Sequence, residues 1–251
     1  MASRRSKRLI GPMSAQLRAA LYYARKRRLG RLADASTPEA EPVFFNPDDK
    51  ATAIFLSNGN LNVGKTGLLG WVSVRANIGR SSGKFYLESS FNFFTNSFIG
   101  FGVGNSSQTL SSFVGSSTNS IGLITDGNSF FNGSPTDTIN FFTNTNICSI
   151  AVDLNIRKIW FRKQNEAWNS KIAGVQNPAT SEGGLNVPAG VIFPIASVQR
   201  DTDSQTGRFK LSDFSFSAPS GFLPWESKNA FHSRRWHGNN GCKLLYRCCI
   251  R

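Results

Sequence analysis

Side-chain character alternates with a period of two along Lys84–Phe93, and this constrains the fold more than any other feature of the chain. Phe85, Leu87, Phe91 and Phe93 fall on one side, and Lys84, Tyr86, Glu88 and Asn92 on the other. That is the pattern of a strand with one face against a core. Similar short runs occupy residues 53–56, 70–76, 97–103, 120–125, 138–142, 147–152, 158–162, 191–198 and 209–216. They are rich in the β-branched and aromatic residues that suit a pleated, half-buried surface. Ser57-Asn58-Gly59-Asn60, Gly79-Arg80-Ser81-Ser82-Gly83 and Asp126-Gly127-Asn128 supply turns between them. About ten short strands with no helical stripe among them predict an all-β antiparallel sandwich over residues 43–225. With 21 phenylalanines against 2 methionines, its core is expected to be aromatic and rigid.

Charge divides the chain differently. The net charge is +14, yet residues 35–225 carry equal numbers of cations and anions. Residues 1–34 hold ten Lys/Arg against Asp34, and residues 226–251 hold six against Glu226. The basicity therefore belongs to two terminal segments flanking a neutral body, and polyanion steering is not the body's device. Residues 1–42 read as a basic arm. Ser14 is placed to cap a short amphipathic helix striped by Leu17, Ala20, Leu21 and Ala24, with Gly30 beyond its cationic last turn. An acidic, proline-containing linker follows at residues 34–42. The arm fits phosphate neutralisation by Arg4, Arg5, Lys7, Arg8, Arg18, Arg25, Lys26, Arg27, Arg28 and Arg31. It equally fits groove docking through Leu17, Leu21 and Tyr22, an import presequence, or a solvated tail.

Enzymatic readings find little to work with. No histidine precedes His232, so the body has no imidazole for a Ser-His or Cys-His pair. Glu88, Asp126, Asp153 and Asp213 are the carboxylate candidates, and Asp126 and Asp153 sit where an aspartate caps its own turn. The stretch from Gly59 to Thr66 fits the phosphate-loop pattern G-x-x-x-x-G-K-[ST]. That mechanism needs a helix N-terminus directly after the loop, whereas Gly67-Leu68-Leu69-Gly70-Trp71-Val72 is Gly-interrupted and strand-like. Cys148 shares a strand face with Ile150 and Val152 and is expected to be a small buried hydrophobe. His232, His237, Cys242, Cys248 and Cys249 lack any standard metal-site spacing, so neither metal nor cofactor is expected. With no secretory signal and no apolar run approaching about 18 residues, a soluble chain made in a reducing compartment is expected.

Several ordered motifs in the body resemble one family. They are Phe44-Phe45-Asn46-Pro47-Asp48-Asp49-Lys50, Gly70-Trp71-Val72-Ser73-Val74-Arg75, Gly83-Lys84-Phe85-Tyr86-Leu87-Glu88 and the stretch from Val152 to Phe161. Residues 43–225 resemble the SPRY domains. The Asn46-Pro47-Asp48-Asp49-Lys50 opening, the turn at Ser57-Asn58-Gly59-Asn60-Leu61 and the ending Ala218-Pro219-Ser220-Gly221-Phe222 are most similar to SPRY domains of bacteriophage and bacterial proteins. The resemblance implies a bent, concanavalin-like two-sheet sandwich that binds partners through loops and performs no chemistry. Where relatives carry an Asn-Gly hairpin after the strand at Ile159-Trp160-Phe161, this chain runs Arg162-Lys163-Gln164-Asn165-Glu166-Ala167-Trp168. Loop positions Arg75, Asn105, Asp126, Asn165, Trp168 and Arg200 are the expected ligand contacts by analogy with such scaffolds. The implied role is a phage or viral virion protein, made in the host cytoplasm and anchored to the particle by its basic arm. Its expected partners are other virion or assembly proteins, a host surface protein or glycan, and nucleic acid through the arm, with no membrane. The alternative is an intracellular adaptor whose basic segment serves as address or RNA contact.

Overall fold

The computed structural model describes residues 41–227 apart from Leu68, Asn96 and Ser97. The expected N-terminal helix and the Cys/His-containing C-terminal segment lie outside these residues. In chain order the strands are β1 (Phe45–Lys50), β2 (Ile54–Ser57), β3 (Asn62–Lys65), β4 (Val72–Ala76), β5 (Lys84–Phe93), β6 (Ile99–Gly104), β7 (Ser120–Ile124) and β8 (Asn128–Phe131). They continue with β9 (Ser134–Thr138), β10 (Ile147–Asp153), β11 (Lys158–Lys163), β12 (Leu185–Asn186), β13 (Phe193–Val198), β14 (Ser204–Arg208) and β15 (Leu223–Pro224). One sheet has the order β1-β4-β13-β6-β7-β8-β9, and the other β12-β11-β10-β5-β14-β3-β2. Pairing is antiparallel throughout these two paths; β15 alone lies parallel, beside Phe85 and Tyr86 of β5. The expected antiparallel sandwich is therefore the fold.

The sheets close on a core to which β5 gives Phe85, Leu87 and Phe91, while facing strands give Phe101, Val103, Ile121, Leu123, Ala196 and Val198. Cys148 is buried in it, and desolvation pushes its thiol pKa well up, as befits a small apolar residue. The alternation in β5 breaks at Phe93. A bulge separates the Phe93–Ser204 and Phe91–Gln205 pairs, so Phe93 leaves the core face and is exposed.

Two expected strands are displaced. Residues 134–138 form β9 and residues 139–142 leave the sheet, placing Phe142 in the core against Phe91 at 5.1 Å. Residues 209–216 are not a strand: Phe209 stacks edge-on to Phe45 at 5.4 Å, and Leu211–Asp213 form a 3-10 turn. The strand there is β14, immediately before.

Each sheet also carries a cover. The segment between β6 and β7 lies over the outer face of the first sheet, where Ser73 N–H donates to Leu110 O at 2.8 Å. Gly122 admits Val114 there, in a space that a Cβ would fill. Residues 209–225 strap across the outer face of the second sheet and seal a smaller apolar cluster of Tyr86, Ala151, Trp160 and Phe222. The sheet edges are guarded in different ways. Pro47 and Pro135 sit in edge strands β1 and β9, and β12 is two residues long. On β2, Lys50 Nζ donates to Ile54 O at 2.7 Å while Ile54 N–H donates to Ala51 O.

Candidate binding surface at one end of the sandwich

Strand directions sort the loops into two groups. At one end lie the connections β3–β4, β5–β6, β7–β8, β9–β10 and β13–β14, together with the chain leaving β11. Their contacts are continuous. Phe98 N–H donates to Gln199 Oε1 at 3.2 Å, and Phe94 N–H to Asn144 Oδ1 at 2.9 Å. Phe142 N–H donates to Thr125 O at 2.8 Å, and Asn140 Nδ2 to Glu166 Oε2 at 2.8 Å. On this belt large apolar side chains face solvent: Leu69 is 63% exposed, Phe93 46%, Phe98 43% and Phe141 66%. Six other large apolar side chains are exposed elsewhere on the described residues, so these four, gathered on one loop group, make it a candidate interaction surface. Lys163 Nζ stands 5.5 Å from the Phe141 ring centre, and several strands away along the belt Gly67, Leu69, Arg200 and Asp201 line an open hollow.

Three of the six expected loop contacts, Asp126, Asn165 and Arg200, lie on this belt. Asn165 is exposed. Asp126 caps its own turn, accepting from Asn128 N–H at 2.9 Å and Asn128 Nδ2 at 3.0 Å. Arg200 N–H donates to Asp203 Oδ2 at 2.7 Å, which fixes that turn. The other three lie elsewhere. Asn105 is at the opposite end, its Nδ2 donating to Ala189 O at 3.2 Å. Trp168 lies against the second sheet, with the Arg162 guanidinium 4.3 Å from its ring centre.

Arg75 corrects the expectation of an exposed loop residue. It is buried within β4, where Nε and Nη2 grip Asp49 at 2.6 and 2.8 Å while Nη1 donates to Gln108 O at 2.6 Å. Position 75 does point out of its sheet, as the alternation requires, but the β6–β7 segment covers it. Arg75→Lys replaces a bidentate fork with one point charge. It is expected to lower stability by about 1–2 kcal/mol, a melting shift of about 3–6 °C, measurable by calorimetry.

The carboxylates proposed for chemistry are engaged in structure. Glu88, fully buried, accepts from Tyr86 Oη at 2.6 Å, Ser215 N–H at 2.8 Å and Phe216 N–H at 2.9 Å, with Arg208 at 3.8 Å. Burial, followed by that bond to Glu88, drives the Tyr86 phenol pKa upward. Asp153 pairs with Lys84 at 3.0 Å and accepts from Asn155 N–H at 3.0 Å. The phosphate-loop pattern folds as a hairpin: Asn58, Gly59 and Asn60 take positive φ of 52°, 62° and 65°, and β3 then pairs with both β2 and β14. Lys65 is buried, its Nζ donating to the carbonyls of Thr66 at 3.4 Å and Gly67 at 3.3 Å.

The apolar belt was not among the sequence-derived sites, although the sequence holds a signal for it. Phe93-Phe94 and Phe141-Phe142 are adjacent pairs, and in extended chain only one member of such a pair faces the core. Phe142 is buried and Phe141 exposed; Phe94 packs on the core and Phe93 does not.

No family model matches the sequence, and no curated protein matches it. Solved structures do. The SPRY domain of human HERC1 is 18% identical with a TM-score of 0.54, over 69% of this chain and 99% of that one. The PSpry domain of TRIM65 is 13% identical with a TM-score of 0.49, over 74% of this chain and 98% of that one. With two antiparallel sheets, their outer covers and the HERC1 likeness in hand, the described residues have the fold of a SPRY domain.

Proposed function

We propose that this chain is a non-catalytic binding module of a phage or viral particle, presenting its SPRY-like domain to a protein or glycan through the apolar loop belt. The observation that carries this reading is the grouping of Leu69, Phe93, Phe98 and Phe141 on contiguous loops, exposed on a domain whose buried carboxylates hold its own backbone. Loops on a rigid sandwich carry recognition at little cost to the fold. Aromatic anchors with a polar surround are the usual centre of a protein contact. The basic arm at residues 1–42 anchors the chain to the particle, as its charge and the phage-like motifs of the body suggest. Among the described residues no helix is long and apolar enough to cross a membrane.

The test is a double variant, Phe98→Ser with Phe141→Ser. Phe141 is mostly in water and Phe98 partly so, and melting is expected to fall by no more than about 5 °C. Binding to the host surface or neighbouring subunit, measured by sedimentation of particles carrying the variant, is expected to weaken by about 30-fold or more. Unchanged partner binding sinks the belt as the recognition surface. Separately, deleting residues 1–42 is expected to release the chain from the particle, and full occupancy by the deletion variant removes the arm from the account.

A further inference from the structure

The strap covers only part of the outer face of the second sheet. Beyond it, the pairing register lays out a row across four strands. Phe93 of β5 pairs with Ser204 of β14, Ser204 with Gly64 of β3, and Gly64 with Phe55 of β2. Their neighbours Val63 and Gln205 point into the core, so this row faces outward. An exposed phenylalanine stands at each end of it. Phe55 lies over β3, its ring filling the space that a Cβ at Gly64 would need. The two rings are therefore two strand spacings apart, about 10 Å. Beside this row Thr206 joins β3 to β5. Its Oγ1 donates to Asn62 Oδ1 at 2.6 Å and accepts from Asn92 Nδ2 at 2.8 Å. Asn92 is the extra residue of the β5 bulge, which brings it to this face. Thr206 holds each amide by one end. Asn62 Nδ2 and Asn92 Oδ1 are left as a donor and an acceptor with no partner among the described residues.

We propose that this face binds an uncharged, extended glycan, with a pyranose ring stacked on each phenylalanine and hydroxyls paired to Asn62 and Asn92. Charge selects the occupant. None of Phe55, Asn62, Asn92, Phe93, Ser204 and Thr206 is ionisable. The face is thus complementary to a neutral polyol and offers no counter-charge to a polyanion or an acidic peptide. The flat side of a pyranose presents C–H groups to the electron-rich face of a phenyl ring. Its hydroxyls, donors and acceptors at once, match two amides held in fixed orientation. A chain like that of cellulose turns the same side down at alternate residues, which suits two rings separated by two strands. Addition of a partner's strand is disfavoured, because Lys50 Nζ already occupies Ile54 O on the β2 edge at 2.7 Å. The face meets the apolar belt only at Phe93 and does not depend on Phe98 or Phe141.

The test is isothermal titration calorimetry of the full chain with cellohexaose and with mannohexaose, at least one of which is expected to bind. Phe55→Leu keeps Gly64 covered but removes the aromatic face, and is expected to weaken binding about 10-fold or more. Phe55→Tyr restores the ring and is expected to bind within about 2-fold of wild type. Thr206→Val frees both amides to rotate and is expected to weaken binding about 5-fold. If neither oligosaccharide binds at millimolar concentration, or if Phe55→Leu and Phe55→Tyr bind alike, the proposal falls. It falls equally if Phe55→Leu spares oligosaccharide binding and dissociates a dimer in analytical ultracentrifugation, which assigns the face to a second copy of the chain. Every variant leaves Phe98 and Phe141 in place, so failure here does not bear on the belt, and failure of the belt test does not bear on this face.

Discussion

Glu88→Ala is expected to lower the melting temperature by about 10 °C and to loosen residues 211–222 before the rest of the domain unfolds. The carboxylate is buried and is the acceptor for the backbone N–H groups of Ser215 and Phe216, at 2.8 and 2.9 Å, as well as for the Tyr86 hydroxyl. Removing it takes the acceptor from the buried Tyr86 hydroxyl and from the two part-buried N–H groups, and leaves Arg208, 3.8 Å away, without its counter-charge. Loss of one partner of such a group costs about 3–5 kcal/mol, and a domain of this size loses about 2–4 °C per kcal/mol. Glu88→Gln separates charge from shape. It keeps the volume but turns two N–H donors of its own into a network already rich in donors, so it is expected to recover less than half of the loss. Limited proteolysis reads out the strap directly, with cleavage near Leu211 and Phe214 appearing in the alanine variant at temperatures where the wild type resists. A melting temperature within about 2 °C of wild type contradicts this account of Glu88.

Trp225→Ala is the second large effect. The indole is fully buried, packs against Phe85 with ring centres 5.1 Å apart, and donates from Nε1 to Ile78 O at 2.9 Å. Truncation opens a cavity and orphans that carbonyl, for about 3–5 kcal/mol. Calorimetry is expected to show a melting temperature about 10 °C below wild type, and a shift within about 2 °C contradicts this account of Trp225. Trp225→Phe retains most of the packing and is expected to restore most of the lost stability.

What was legible from sequence, and what was not, follows from the range of the interactions. The alternation in β5 as far as Phe91 and the Asn58-Gly59-Asn60 turn are local and appear in the fold as expected. Strand β14 was not recognised, because Ser204-Gln205-Thr206-Gly207-Arg208 offers no apolar alternation. Its inward side chain is Gln205, whose Nε2 donates to Gly100 O at 3.0 Å and Ser197 O at 2.9 Å, while its Oε1 accepts from Ser89 Oγ at 2.8 Å. A buried amide fully bonded across both sheets takes the place of an apolar residue, and no local pattern announces it. The bulge that exposes Phe93 depends on pairing with a strand more than a hundred residues later, and the burial of Arg75 on a segment thirty residues away. The candidate site shares this character. Leu69, Phe98, Phe141 and Arg200 are far apart in sequence and become neighbours on one end only through the strand order.

The central claim of the proposed function is that the apolar loop belt at one end of the sandwich recognises a partner while the basic arm at residues 1–42 holds the chain in its assembly. Hydroxyl-radical footprinting of the chain, free and within the particle with its partner bound, addresses both halves at once. The account predicts reduced oxidation at Leu69, Phe98 and Phe141 and in residues 1–40, with the hairpin joining β8 and β9 as reactive as in the free protein. Protection confined to that hairpin, with Phe98 and Phe141 oxidised as readily as before, would contradict it.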